Sequence, residues 1–274
     1  MDIIQRNFYR LIRAGAFDLH EIVEPMSAFK WNKLRHLALM HGVSIPVWQG
    51  IQKCKNQFFF HLPEELWKQW EEPSRGMANK VMELEEDEFL RADLLTNPVL
   101  NHKLQNILDD EHSDVATRKL LLSLVCLTRH ILNEGLPVRQ LVELGTFIRK
   151  ESPRINYRLL QQWLKKLKIE QIAQLEGALL VDLFHFEEIE IPFLQEKKNK
   201  DVELVAQELT EFTNTRARDF YFSQESGEIF VHTSNGSAML GHIRRSAKYF
   251  RYFPSEIVTN FFRTFTHSLS HIEE

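Results

Sequence analysis

A chain of 274 residues with a formal net charge of −4 is long enough for a substantial core and carries no overall attraction for nucleic acid or anionic lipid. Ten glycines against twenty phenylalanines exclude glycine-rich nucleotide loops and turn-dense β architecture, and favour an aromatic, helical core. The two cysteines, Cys54 and Cys126, are too few for a disulfide framework or zinc cluster and are expected to be reduced and buried. The start, MDIIQRNFYRLIRAG, lacks a secretory apolar core, and no stretch reaches ~18 uninterrupted apolar residues. A cytoplasmic chain, mature as written, is expected.

In chain order, Ile4, Phe8, Leu11 and Ile12 recur at helical spacing and predict an opening helix over 3–14. Ser27 is placed to cap a second helix that stops at Gly42, with Trp31, Leu34, Leu37 and Ala38 inward. A short helix around 47–54 follows Pro46. Pro63 opens PEELWKQWEE, with acids in the first turn where the helix dipole favours them. Pro73 and Gly76 predict two helices, or one kinked helix, across 63–92. Glu83, Glu85, Glu86, Asp87, Glu88 and Asp93 then form an acidic run, expected to be a solvated helix face beside a linker.

Pro98 begins a helix that ends near Asp109, and Ser113 is expected to cap the apolar stretch KLLLSLVCLTRHIL, a central helix surrounded by others. Gly135 and Pro137 supply a stop and a start. Val138, Leu141, Val142, Gly145 and Ile148 define one helical face, and Gly145 admits a close neighbour. Asn156 caps a helix over 156–168 with Leu159, Leu160, Trp163, Leu164 and Leu167 inward. A helix over 170–186 and one capped by Asp201 follow. RDFYFS and EIFVHT predict a β-hairpin within 218–234, and two last helices over about 238–252 and 255–270 flank Pro254. The fold expected is all-α: a multi-helix array in two lobes, 1–92 and 93–274, with the boundary somewhere in 74–112.

Four groups of residues carry chemistry that needs weighing. In EGALLVDLFHFEEIEI, Gly177-Ala178 and the pair Glu188 and Glu190 mimic the phosphate turn and paired carboxylates of a metal-dependent nucleotidyltransferase. On a strand the two carboxylates would share a face and could hold magnesium. Ala178, the longer glutamates and the helical period of 170–186 oppose that, and predict a buried helix leaving through an acidic turn. The second group is GHIRRSAKYFRYFPSE. On one helix, Arg244, Lys248 and Arg251 form a stripe beside Arg245, Tyr249 and Tyr252, suited to phosphate and to stacking on a base or sugar. The bland alternative is an exposed amphipathic helix with Ile243, Ala247, Phe250 and Phe253 in the core. The third, His267 and His271, has metal-ligand spacing but no third ligand. The fourth, Asp109, Asp110, Glu111, His112 and Asp114, lacks the glycine and alternating oxygens of a calcium loop.

The helical flanks resemble a bacterial family described as uncharacterised nucleotidyltransferases, often associated with surface-polysaccharide gene clusters. FYRLIRAGAF and KWNKLRHLALMHGVSIPVWQGI are similar to its N-terminal helical region. GLPVRQLVELGTFIRKESPRINYRLLQQWLKKLKIEQIAQLEGALLVDLF, together with RYFPSE, is similar to its C-terminal region. The resemblance implies a nucleotidyltransferase core between the flanks with a Lys-Gly stretch and an Asp-x-Asp pair. Here 74–112 is about forty residues of acidic helix and linker without either, so no catalytic residue carries over. The expectation is a non-catalytic helical binding protein, a degenerate relative of that family, without cofactor or metal. Its partner would be a protein or an anionic small ligand such as a nucleotide or sugar phosphate, with nucleic acid and membrane disfavoured. The alternative is a metal-dependent nucleotidyltransferase using Glu188 and Glu190.

Overall fold

A computed structural model describes residues 1–77, 94–110, 114–133, 138–195, 202, 205 and 246–270. Every regular element among the described residues is helical. The α-helices are α1 (Ile3–Phe17), α2 (Ala28–Met40), α3 (Ser44–Cys54), α4 (Glu64–Met77), α5 (Pro98–Leu108), α6 (Val115–Asn133), α7 (Val138–Glu151), α8 (Tyr157–Leu167), α9 (Glu170–Phe184) and α10 (Pro254–Ser270). Short 3-10 turns sit at Ser152–Arg154 and Glu188–Glu190. The hairpin expected at 218–234, the acidic run from Glu83 to Asp93, Ser113, Gly135, Pro137 and Asp201 lie outside the described residues. None of the described helices is long and apolar enough to cross a membrane.

Local signals set most of the boundaries. Asp2 caps α1 by accepting from the Gln5 amide, and the Gln5 side chain returns to the Asp2 amide. Asn97 and Asn156 cap α5 and α8 without a return bond, their side chains accepting from the Leu100 and Leu159 amides. Ser27 stands at the start of α2 but makes no side-chain cap. For α6 the described cap is Asp114, which accepts from both the amide and the hydroxyl of Thr117. These hydrogen bonds, the Thr117 hydroxyl first, outweigh burial and hold the Asp114 carboxyl below its ordinary range.

Pro73 does not split α4, which runs unbroken to Met77. Proline lacks the N–H that would reach the carbonyl of Gln69. The Nε of Arg35 donates to that oxygen at 3.3 Å, so a side chain of α2 supplies the missing bond.

One buried cluster runs from Phe8 on α1 to Ile257 on α10. On one side α1 lies directly against α3, with Gly15 facing the Pro46 carbonyl and Gly50 facing the Leu11 carbonyl. On the other, α6 packs with α7, α8 and α9. Helix α9 is buried nearly all round, through Ile172, Ala173, Leu175, Leu179, Leu180, Leu183 and Phe184. The expected face of α7 is the buried one: Val138, Leu141, Val142, Gly145 and Ile148 all point inward. Cys54 is buried and Cys126 half-buried, and neither is in a disulfide. Burial, then the nearby Glu21 charge, pushes the Cys54 thiol up, which keeps it protonated and unreactive. Glu256 ties α10 to the start of α5: its carboxylate accepts from the consecutive amides of Thr96 and Asn97, a favourable place for negative charge.

Candidate functional site

The stretch after Gly177 forms a helix end and a clamp. Helix α9 stops where His185 adopts a left-handed conformation, φ 55°, with its amide on Val181 and that of Phe186 on Leu180. This left-handed stop turns the chain back sharply. Phe186 then packs edge-on against Phe17 at 5.1 Å between centroids, beneath the Arg149 guanidinium 4.1 Å from its ring. Gly145 makes room, because a Cβ there would press on both rings. Residues 188–190 form a single 3-10 turn. At three residues per turn, positions two apart point in different directions, so Glu188 and Glu190 do not share a face as they would on a strand.

Glu190 is committed to Arg149. Arg149 Nε and Nη2 donate to its two oxygens at 2.8 and 3.3 Å, and Nη1 donates to the Phe17 carbonyl at 3.2 Å. Burial pulls the Glu190 carboxyl up, but the Arg149 hydrogen bond, the Glu187 amide and the Arg149 charge together hold it below the ordinary range. Its contribution to stability is therefore present above the ordinary carboxylate pKa and disappears as pH falls through the lowered value. R149M keeps the apolar stem against the rings but strands Glu190 and the Phe17 carbonyl. It should cost about 2 kcal/mol at neutral pH, read by urea unfolding, and much less under acid. An equal cost at both pH values would separate Arg149 from Glu190.

A parallel arrangement holds the turn after α1. Arg13 donates Nε and Nη2 to Glu21 at 2.5 and 3.1 Å and Nη1 to the Leu183 carbonyl at 3.0 Å. Thus α1, the 18–27 loop and the end of α9 are joined by one nearly buried guanidinium. Inside the bundle, Glu176 of α9 is fully buried; Thr128 of α6 donates to its Oε1 at 2.9 Å, and Oε2 has no partner among the described residues. Burial pushes this carboxyl well above its ordinary value, and the Thr128 bond offsets only part of that.

The basic-aromatic segment is arranged differently from the uniform helix expected. Arg244 and Arg245 lie outside the described residues. Helical turns cover 246–249, and the amides of Tyr252 and Phe253 both return to the Tyr249 carbonyl. The chain therefore turns before Pro254 rather than running helically to 252, as the residue preceding a proline disfavours helical geometry. Tyr249 and Tyr252 are buried, while Ala247 and Phe250, expected in the core, are exposed, Phe250 by 48%. The tyrosine rings lie under cations: Lys248 Nζ is 5.3 Å from the Tyr249 ring and the Arg251 guanidinium 4.9 Å from that of Tyr252. Arg251 Nη2 also donates to the Tyr252 hydroxyl at 3.2 Å. These side chains, with Val205, Ala247 and Phe250, line a cavity of about 390 Å3.

No family model, curated protein or solved structure matches the chain. The remaining candidates make no site among the described residues. His267 lies on α10, His271 outside the described residues, and no cluster of three His, Cys, Asp or Glu side chains could hold a metal among those described. Asp109 ends α5 and Asp114 caps α6, while Glu111 and His112 lie outside the described residues. Sequence alone missed Arg149, Arg13, Glu176 and Thr128. Arg149 stood in the last turn of a legible helix, but nothing local marks a partner 41 positions away.

Proposed function

We propose that the protein is a non-catalytic helical binding protein whose segment 244–252 receives an anionic ligand, a nucleotide or sugar phosphate. The observation that supports this most is the cavity walled by Lys248 and Arg251, whose charged groups are held in place over the Tyr249 and Tyr252 rings. A ring-backed guanidinium with a fixed direction loses little freedom on meeting a phosphate. The tyrosines act from below by orienting the cations, and exposed Phe250 is the ring available to the ligand's base or sugar. The resemblance of the flanks to the nucleotidyltransferase-like family belongs to this proposal and rests on the quoted segments. So do descent by loss of the catalytic core, the association with polysaccharide gene clusters and a cytoplasmic location. The alternative, a magnesium-dependent nucleotidyltransferase, requires Glu190 to leave Arg149 before it could join Glu188 at a metal.

Pyrophosphate, nucleotides and sugar phosphates should raise the melting temperature. A ligand at ~100 times its Kd adds about 2.7 kcal/mol, a shift of several degrees. R251Q should abolish the shift, measured against its own unliganded melting temperature because it also loses the Tyr252 hydrogen bond and ring contact. A panel without any shift, or a shift indifferent to R251Q, would sink the ligand proposal.

A further inference from the structure

The whole-chain charge conceals a local one. None of the 38 Asp and Glu residues falls between positions 25 and 63, whereas Lys30, Lys33, Arg35, Lys53 and Lys55 do. That span builds α2, α3 and the turn that follows. At the end where the turn meets the 18–27 loop, Phe58 is 92% exposed, Phe59 67%, Ile22 68% and Phe29 67%.

These side chains are carried on a pinned surface. The Val23 amide donates to Gln57 Oε1 at 3.0 Å, and Gln57 Nε2 donates to the Glu21 carbonyl, which sets Ile22 beside the turn. Trp31 Nε1 donates to the His61 carbonyl at 2.9 Å and its ring packs on Phe60, which brings the start of α2 to the same end. The Phe58 and Phe59 rings stand edge to face, 4.8 Å apart. Lys33 lies over Phe29, 4.7 Å from its centroid, and Lys55 is exposed just ahead of the pair. The acids of the adjoining loop are all occupied: Asp18 by Lys53, Glu21 by Arg13 and Glu24 by Arg6 and Arg10. The next acids, Glu64 and Glu65, begin α4 beyond Pro63.

We propose that this end of the protein seats on an anionic lipid surface. Phe58 and Phe59 enter the boundary between headgroups and acyl chains, with Ile22 and Phe29 beside them. Lys30, Lys33 and Lys55 face the anionic headgroups. Exposed apolar patches rimmed by polar groups mark either protein or membrane contacts. Composition decides between them. Exposed phenylalanine suits either, but protein interfaces are depleted in lysine, whereas lysines beside apolar rings are the pairing of peripheral membrane surfaces. The pinned turn presents its rings already ordered, so insertion does not have to fix a mobile loop.

The test is co-sedimentation of the full chain with vesicles of phosphatidylcholine alone and with about one part in three of phosphatidylserine. Binding to the anionic vesicles should be at least about ten-fold tighter and should weaken with salt. F58S/F59S should lose about ten-fold or more of that binding at an unchanged melting temperature. K30Q/K33Q/K55Q should lose the preference for anionic over neutral vesicles. No partition onto the anionic vesicles, or equal partition by F58S/F59S, overturns the proposal. So does a protein complex sensitive to F58S/F59S formed by a chain that ignores vesicles.

Discussion

Alanine at Gly15 or Gly50 should cost at least ~3 kcal/mol each, the upper end of overpacking. In an exposed helix the same change gains about 0.5–1 kcal/mol, because alanine restricts the unfolded chain. The sign reverses here because α1 and α3 meet backbone to backbone. A Cβ on Gly15 would overlap the Pro46 carbonyl oxygen, and one on Gly50 would overlap that of Leu11. Neither obstacle is the tip of a movable side chain, so relief requires the helices to separate and the core around Leu11 and Ile51 to open. G145A is the internal control: its Cβ would meet only ring edges of Phe186 and Phe17, at 2.8 and 3.1 Å, and should cost less. Chemical denaturation of the three variants measures the order. A G50A variant as stable as the parent would show that α1 and α3 are not in contact.

The second large effect lies at Glu176 and is read through pH. The folded core holds this carboxyl protonated well above the ordinary value of 4.5. Below about pH 4 the unfolded chain is protonated there too, and the group contributes no pH dependence. As pH rises, the unfolded chain releases its proton first, so stability falls until the folded carboxyl ionises as well. E176Q removes that slope. It should match the parent near pH 4 and exceed it by a growing margin toward pH 8, by urea unfolding at each pH. T128V leaves both carboxyl oxygens without a donor and should cost about 1–3 kcal/mol. An E176Q variant with the parent's pH profile would mean that Glu176 ionises freely in the fold. The opposite limb belongs to Glu190, Asp114 and Glu24, whose carboxyls are held low. Glu24 is drawn to about 2, first by the Arg6 hydrogen bond and then, against burial, by the Arg6 and Arg10 charges. These groups lose their contribution as acid is added, whereas Glu176 loses its own as base is added.

What the sequence made legible was local. Asn156 caps a helix because its oxygen needs only an amide three residues on, and the face of α7 follows from spacing along one helix. The all-α class follows from the same periodicities. What it hid depends on meetings between distant segments. Pro73 forecast two helices or one kinked helix, and nothing local marks Arg35, 34 positions away from the carbonyl it satisfies. Gly15 and Gly50 are ordinary glycines until their helices cross. Nothing in the sequence singles out Glu176, and only burial against α6 makes it a neutral acid. At the candidate site, the choice of faces went astray for a local reason too subtle for spacing. The turn before Pro254 ends the helix at Tyr249, so Tyr252 lands inside with it, and Phe250 comes out.

The same limit applies to the paired glutamates. Their spacing suits a strand holding magnesium, and it equally suits a 3-10 turn in which one glutamate clamps an arginine. The structure contains the second arrangement. Central to the functional account is that this chain binds without catalysing. Its most direct test is incubation with magnesium and a panel of nucleoside triphosphates, following product release for the parent, E188Q and R251Q. The account predicts no turnover by any of the three, and binding by the parent that R251Q loses and E188Q keeps. Nucleotide turnover by the parent that E188Q abolishes would contradict it.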